Sequence, residues 1–350
     1  MAKHNRIYVG CDLGDRYTDV AVLDAGGAVV DAIRVKTTRA ALERYLGTYK
    51  QARVVIEVGT HSRWVAEVIQ RLGHEVLVAN PRQVRLISRR RVKTDQSDAM
   101  LLARLGRFDP ELLAPVKLRC RRAQVDLAVI RSRDVLVSTR TKLLNQVRGT
   151  IKQFGLTMKR ASSFGSVFKD AKRAVPAELA PALRPVLEVL DVIEAQIEAQ
   201  DVVIDQVAAK LPQVQCMTQI HGVGVLTATA FALTIDDPSR FEKSRFAGAF
   251  LGLTPAKDQS GDSDPQKRIT KSGDPLVRKL LVQCAHHVLG HRGRDSDLRR
   301  WGLRIAERGG KNARKRAIVA VARKLAVLMH RLWLSGEIYQ PCGYAPGARA

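Results

Sequence analysis

The chain has 350 residues, a formal net charge of +25 and a pI near 10.4. That length is enough to bury two or three cores, and that charge argues against an enzyme of small neutral metabolites and for a polyanionic partner. By segment the charge is +2 for residues 1–80, +14 for 81–160, −4 for 161–240 and +13 for 241–350, so two cationic stretches stand on either side of a weakly acidic one. Each Lys or Arg that meets a phosphate releases a counterion, and two such stretches predict two nucleic-acid surfaces. The five cysteines lack CxxC spacing and read as reduced core residues, and no uncharged apolar run approaches a membrane span. No signal peptide is visible at the first residues, so a cytoplasmic location is expected.

Ile7 to Cys11 reads as a buried strand running into Asp12; Val20 to Leu23 and Ala28 to Val35 read as two more, with Ala25-Gly26-Gly27 as the turn between them. Thr38 to Tyr49 has a helical pattern, and Arg53 to Val58 is a short apolar strand carrying Glu57. A strand, a crossover helix and a strand form a unit whose strands are parallel, which predicts Asp12 and Glu57 at one sheet edge. His61 to Leu72 reads as a helix, Glu75 to Ala79 as a fifth strand, and Asn80-Pro81 as a break into a basic segment with Arg89, Arg90, Arg91 and Lys93. Thr94 to Ala103 then reads as a helix with Asp95 and Asp98 on one face of its first turn.

Asp12, Glu57, Asp95 and Asp98 are thus expected to converge. Hard oxygen ligands of this kind suit Mg²⁺ or Mn²⁺, and two such ions stabilise the attacking and leaving oxygens of a phosphodiester displacement. A first-turn acid often serves only the helix dipole and a strand-end Asp only a turn, so the specificity lies in the order Asp, Glu, Asp-x-x-Asp on this strand pattern.

Residues 121–154 continue as a basic helix with an apolar heptad repeat, in which Arg131, Arg133, Arg140 and Lys142 are candidate nucleic-acid contacts. Leu183, Leu190, Ile197, Ile204 and Leu211 repeat the heptad with Gln200 in a core position, a coiled-coil seam that fits either the first helix or another subunit. Gln219 to Ala228 contains His221-Gly222-Val223-Gly224, a helix-hairpin-helix-like pattern in which Gly222 and Gly224 would let the backbone approach a phosphate. Beyond it, Ser260 lies in a polar loop with Ser244, Ser263 and Ser272 nearby, and local chemistry alone does not single it out. Leu276 to Leu289 reads as a helix, Arg292 to Arg316 is dense in Arg and Lys, and an amphipathic helix follows from about Lys311 to Leu334. Aromatic residues are only 5% of the chain, which argues against extensive base stacking.

With these residues in view the chain resembles the Piv-type DNA invertases and the DEDD transposases of the IS110 insertion-sequence family, over nearly its whole length. The resemblance implies an α/β RuvC-like, RNase H-fold catalytic domain at 1–110, a helical coiled-coil region at 111–212, and at 213–350 a mainly helical C-terminal transposase domain with the helix-hairpin-helix-like motif and the serine loop. Asp12, Glu57, Asp95 and Asp98 match the family's tetrad, and the HGVG hairpin, the LGLTP segment, QSG and ITKSGDPLVRKLL match its C-terminal domain, with Lys271 a further nucleic-acid contact. Here QSG runs into DSDPQ, where relatives often have a second glycine. Ser260 matches the family's serine, which attacks DNA to form a covalent phosphoserine. The resemblance also implies donor and target DNA, a structured non-coding bridge RNA as guide, a homo-oligomer and a prokaryotic, nucleoid-associated protein. Three alternatives stand beside it: a junction nuclease with the same tetrad and water as nucleophile, a phosphotransferase of the sugar-kinase type, and a non-catalytic nucleic-acid binder.

Overall fold

The computed structural model of the protein describes residues 6–87, 94–157, 175–265 and 267–342, together with Gly165 and Arg173. It divides into two compact units, Met1–Leu118 and Arg119–Ala350.

The first unit is mixed α/β. Strands β1 (Tyr8–Leu13), β2 (Tyr17–Leu23), β3 (Val29–Lys36), β4 (Arg53–Glu57) and β5 (Glu75–Ala79) form one sheet in the order β3-β2-β1-β4-β5. The meander β1-β2-β3 is antiparallel, whereas β4 runs parallel to both β1 and β5, as the crossover helix requires. Strict alternation gives each face its own core. Val9, Cys11, Val20, Val22, Val54 and Ile56 point to the face covered by α1 (Arg39–Leu46) and α2 (Ser62–Arg71). Gly10, Ala21 and Val55 point to the other, against α4 (Asp95–Phe108). Burial, aided by the neighbouring Asp12 charge, pushes the Cys11 thiol up to about 12, so it stays protonated. The other cysteines are also unpaired; Cys284 is buried, while Cys120 and Cys342 are exposed and lie outside any core.

Asn80-Pro81 is the break after β5 that the sequence suggested, and it also begins a helix. Pro81 opens α3 (Pro81–Ile87), and the Asn80 carboxamide accepts from the Arg82 amide at 3.1 Å, so the pair is a helix start.

The second unit is helical among its described residues, apart from the short bridges of one ribbon. Helices α5 (Arg121–Gln153) and α6 (Ala180–Ala209) pack on each other along their length. They are antiparallel: Arg133 pairs with Asp201 and Arg140 with Glu194, and Leu144, Val147 and Ile151 meet Leu183, Leu187 and Leu190. The heptad seam therefore has its partner within the chain. Near the other end of the pair Leu127, Ile130 and Ile204 enter the main core, shared with α7 (Pro212–Thr218), α8 (Val225–Ile235), α9 (Arg245–Phe250), α10 (Pro275–Leu289) and α12 (Ala313–Ser335). The helix α11 (Asp297–Ala306), which sequence periodicity did not separate from its basic surroundings, packs on α12.

His330 of α12 is fully buried, bonded through Nδ1 to the Ser244 hydroxyl at 3.0 Å and through Nε2 to the Pro238 carbonyl at 2.9 Å. Burial lowers its pKa from 6.5. Above pH 6.5 it is neutral folded or unfolded; below that the unfolded chain takes up its proton first, so stability falls as acid is added. Denaturant melts at pH 7.5 and 5.5 should show a smaller loss on acidification for His330→Gln than for the wild type, and equal losses would assign the acid sensitivity elsewhere.

Candidate active site and nucleic-acid interface

Asp12 follows Cys11 on β1, and Glu57 follows Ile56 on β4, with Cys11 and Ile56 paired in parallel register. By alternation both acids belong to the face that α4 covers. α4 runs against β1, because the Arg53 guanidinium, at the start of β4, donates to the Gly106 carbonyl at 3.1 Å and Arg107 reaches the Ala25 carbonyl at 3.3 Å. Its C-terminal turns thus lie over the strand starts, and its first turn, with Asp95 and Asp98, lies at the strand ends. A reciprocal cap fixes that turn: the Ser97 amide donates to Thr94 Oγ1 and the Thr94 amide to Ser97 Oγ, each at 3.2 Å.

Two residues not singled out from the sequence join this edge. Asp19 stands directly across from Asp12 in the β1-β2 ladder and is 7% exposed. Arg34 stands across from Asp19 on β3; its Nε donates to both Asp19 oxygens at 3.2 Å and its Nη2 lies 3.0 Å from Oδ2. The same Nη2 reaches Asp95 Oδ2 at 3.5 Å. The Asp19 hydrogen bond and charge raise the pKa of Arg34, which stays cationic. Asp95 thus leans toward a protein cation, and among the described residues no three Asp, Glu, His or Cys side chains gather closely enough to hold an ion. Only the hairpin register could have revealed Asp19 and Arg34, because opposite residues of an antiparallel pair share a face.

Ser260 is exposed at the tip of a ribbon. At the root, Lys271 N donates to Gly252 O at 3.1 Å, Thr270 N to Thr254 O at 2.9 Å and Ala256 N to Arg268 O at 2.9 Å. Asp258 and Lys267 form an ion pair between the arms. At the tip, Ser260 N donates to Ser263 O at 3.1 Å and Ser263 N to Ser260 O at 3.0 Å, around Gly261 with φ +54°. A glycine of positive φ at the first central position marks a type II′ turn. Of the neighbouring serines, Ser244 is bonded to His330, and Ser272 shares a 3.0 Å hydrogen bond with Thr270.

The candidate nucleic-acid contacts occupy different settings. Arg89, Arg90, Arg91 and Lys93 lie outside the described residues. Arg133 and Arg140 face α6 carboxylates, with the Arg133 Nη2 to Asp201 distance 2.9 Å and the Arg140 to Glu194 distance 2.5 Å. Arg131 is bonded to Asp274, the N-cap of α10, at 2.9 Å, while Lys142 is exposed. Gly222, with φ +92°, turns the chain between α7 and α8, and a Cβ there would lie 3.2 Å from His287 and Val288; Gly224 caps α8. Lys271 is exposed on the serine ribbon with φ +53°.

A model of the IS110 DEDD transposase domain matches residues 9–155, which includes the carboxylate edge, and a model of the IS116/IS110/IS902 transposase family matches residues 214–300, which includes the hairpin and the serine ribbon. Over 345 residues the chain is 29% identical to the transposase for insertion sequence element IS1111A of Coxiella burnetii, covering 96% of this chain and 91% of that one. It is 27% identical to a probable family 20 transposase of Pseudomonas aeruginosa, covering 95% and 98%, and 29% identical to the transposase for insertion sequence element IS1328 of Yersinia enterocolitica, covering 80% and 83%. With both transposase domains present in order, the chain belongs to the IS110/IS116 family of insertion-sequence transposases, enzymes that cut and rejoin DNA.

Proposed function

We propose that the protein is a serine recombinase of an insertion sequence that works on DNA strands chosen by a bridge RNA, with a RuvC-like, RNase H-type first unit. The observation that carries the reading is the row Asp12, Asp19 and Arg34 across the sheet, with Glu57 beside it, under the helix turn that bears Asp95 and Asp98. The donors are hard carboxylate oxygens of the kind that suits Mg²⁺ or Mn²⁺, and Asp95, 70% exposed, is free to turn from Arg34; with that turn Asp12, Glu57, Asp95 and Asp98 would be the residues that hold the ion. Such an ion supplies neutralisation of the charge on a scissile phosphate.

Ser260 Oγ attacks phosphorus, the bond from phosphorus to the 3′ oxygen breaks, the serine proton passes to solvent and the leaving 3′ oxygen takes one up. The phosphoserine keeps the energy of the phosphodiester, so rejoining by reversal needs no ATP. The cationic stretches at 81–160 and 241–350 suit a protein that grips backbone while base pairing selects sequence. The α5-α6 pair would be the coiled-coil region, the α7-α8 turn a phosphate-binding hairpin, and the working form a homo-oligomer.

The test is a denaturing gel of native flanking DNA incubated with the protein, its transcript and Mg²⁺. A protein-linked DNA band is expected for the wild type and absent for Ser260→Ala and Asp12→Ala. Cleavage that survives Ser260→Ala without a linked band would mean a hydrolytic nuclease.

A further inference from the structure

We infer that the second unit holds an unpaired DNA strand in a groove between the root of the serine ribbon and helices α11 and α12. This rests on the reading of Ser260 as nucleophile and names the part of the substrate that the same unit would hold.

The groove has a volume of about 2150 Å³. Among the described residues that line it, twelve are Lys or Arg and one, Asp297, is acidic. They come from three places far apart in sequence: Lys243 and Arg245 at the start of α9, Lys267, Arg268 and Lys271 on the ribbon, and a larger set on α11 and α12 that includes Arg304, Arg316 and Lys324. So one-sided a lining fits a phosphate chain and repels an acidic peptide.

The floor decides which form of DNA. It is apolar, made by Leu298, Trp301 and Ile305 of α11 with Val319 and Leu328 of α12 beneath the cationic rim. A duplex turns its phosphates outward and keeps its base faces stacked inside, so it gains nothing from such a floor. An unpaired strand presents both phosphates and bare base faces, and the groove offers a counterpart to each. Lys324 Nζ lies 4.5 Å from the centroid of the Trp301 ring. A base that stacks on the indole would displace this ammonium toward a phosphate. Trp301, half-buried, and Tyr339 are the aromatic residues among the described lining, which matches the low aromatic content: few bases are met by their faces, and the rest of the strand by its charge.

Position supplies the second argument. Pro255 and Ile269, which pair to close the ribbon that carries Ser260, both line the groove. A strand lying there passes the root of that ribbon, and the groove would hold the single strand opened beside the phosphate to be cut.

The test uses the full chain without Mg²⁺, titrated against one fluorescein-labelled 12-nucleotide DNA strand, the same sequence as duplex, and the same sequence as single-stranded RNA, read by anisotropy. The single DNA strand is expected to bind most tightly, and Trp301→Leu to weaken it roughly tenfold while duplex affinity stays within twofold. Lys324→Glu with Arg316→Glu, both on the exposed rim, provides a second arm independent of the α11 packing and should weaken strand binding and flatten its salt dependence. Duplex bound as tightly as single strand, or strand binding unchanged in both variants, overturns the proposal; RNA bound more tightly than DNA makes the occupant the guide. A wild-type protein that binds the strand through this groove but forms no covalent band with Mg²⁺ would count against Ser260 as nucleophile alone and leave the groove standing.

Discussion

Gly10→Ala is expected to lower the melting temperature of the first unit by roughly 10 °C or more and to reduce strand cleavage by about a hundredfold. Gly10 is in the middle of β1, on the face that α4 covers. A Cβ there would lie 2.0 Å from the Ala99 carbonyl oxygen and 2.5 Å from the Ala103 amide nitrogen. Both are backbone atoms of a helix, so no rotamer relieves the collision and α4 itself must rise. Overpacking of this kind costs about 1–3 kcal/mol where side chains can yield, and more where they cannot. Asp12 is two residues along the strand and Asp98 is one residue before Ala99, so the same displacement separates the acids. Gly149→Ala is the control: it lies within α5, has open space around it, and should gain about 0.5–1 kcal/mol of stability. Scanning calorimetry reads both variants. A Gly10→Ala protein that melts and cleaves as the wild type would mean that α4 is not seated on β1 at this residue.

The sheet was legible because its signal is local. Short apolar runs marked β1, β4 and β5, and the crossover argument made β1 and β4 parallel, with Asp12 and Glu57 at one edge. What stayed hidden depends on pairing. Asp19 and Arg34 look like surface charges in an antiparallel meander until the register sets them beside Asp12. Arg133 and Arg140 look like free cations for RNA, but they fall on the side of α5 that turns to α6, where Asp201 and Glu194 take up their charge. The groove was least legible of all, because its lining is drawn from residues 243–341 and its apolar floor on α11 is masked in sequence by a high density of Arg. The short helix behind Pro81 went unread because a proline that ends a strand can also stand at the first position of a helix.

Gly252→Ala should cost about 3 kcal/mol or more and abolish the covalent DNA band, although the residue is eight positions from Ser260. Two separate penalties add. Its φ is +68°, a left-handed conformation that a side chain resists by about 1–2 kcal/mol. Its Cβ would also lie 2.3 Å from the Ser272 amide nitrogen. The crossing is tight from the other side too, since a Cβ on Gly273 would meet the Phe250 carbonyl oxygen at 2.2 Å. Arg278 locks it, donating from Nη1 to the Leu251 carbonyl at 3.0 Å and the Gly273 carbonyl at 3.1 Å. The ribbon that carries Ser260 is therefore aimed by a contact of backbone on backbone at its root, where no side chain can adjust. Lys271, at φ +53° in the same crossing, supplies an internal comparison. Lys271→Ala removes the charge and keeps the strain, while Lys271→Gly removes both, so the glycine variant should be the more stable by about 1 kcal/mol. Urea titration measures the difference, and limited proteolysis of Gly252→Ala should open new cuts between residues 253 and 271. If that variant instead keeps its stability and its protease resistance but still loses the DNA adduct, the root does not hold the ribbon, and Gly252 matters through contact with the DNA.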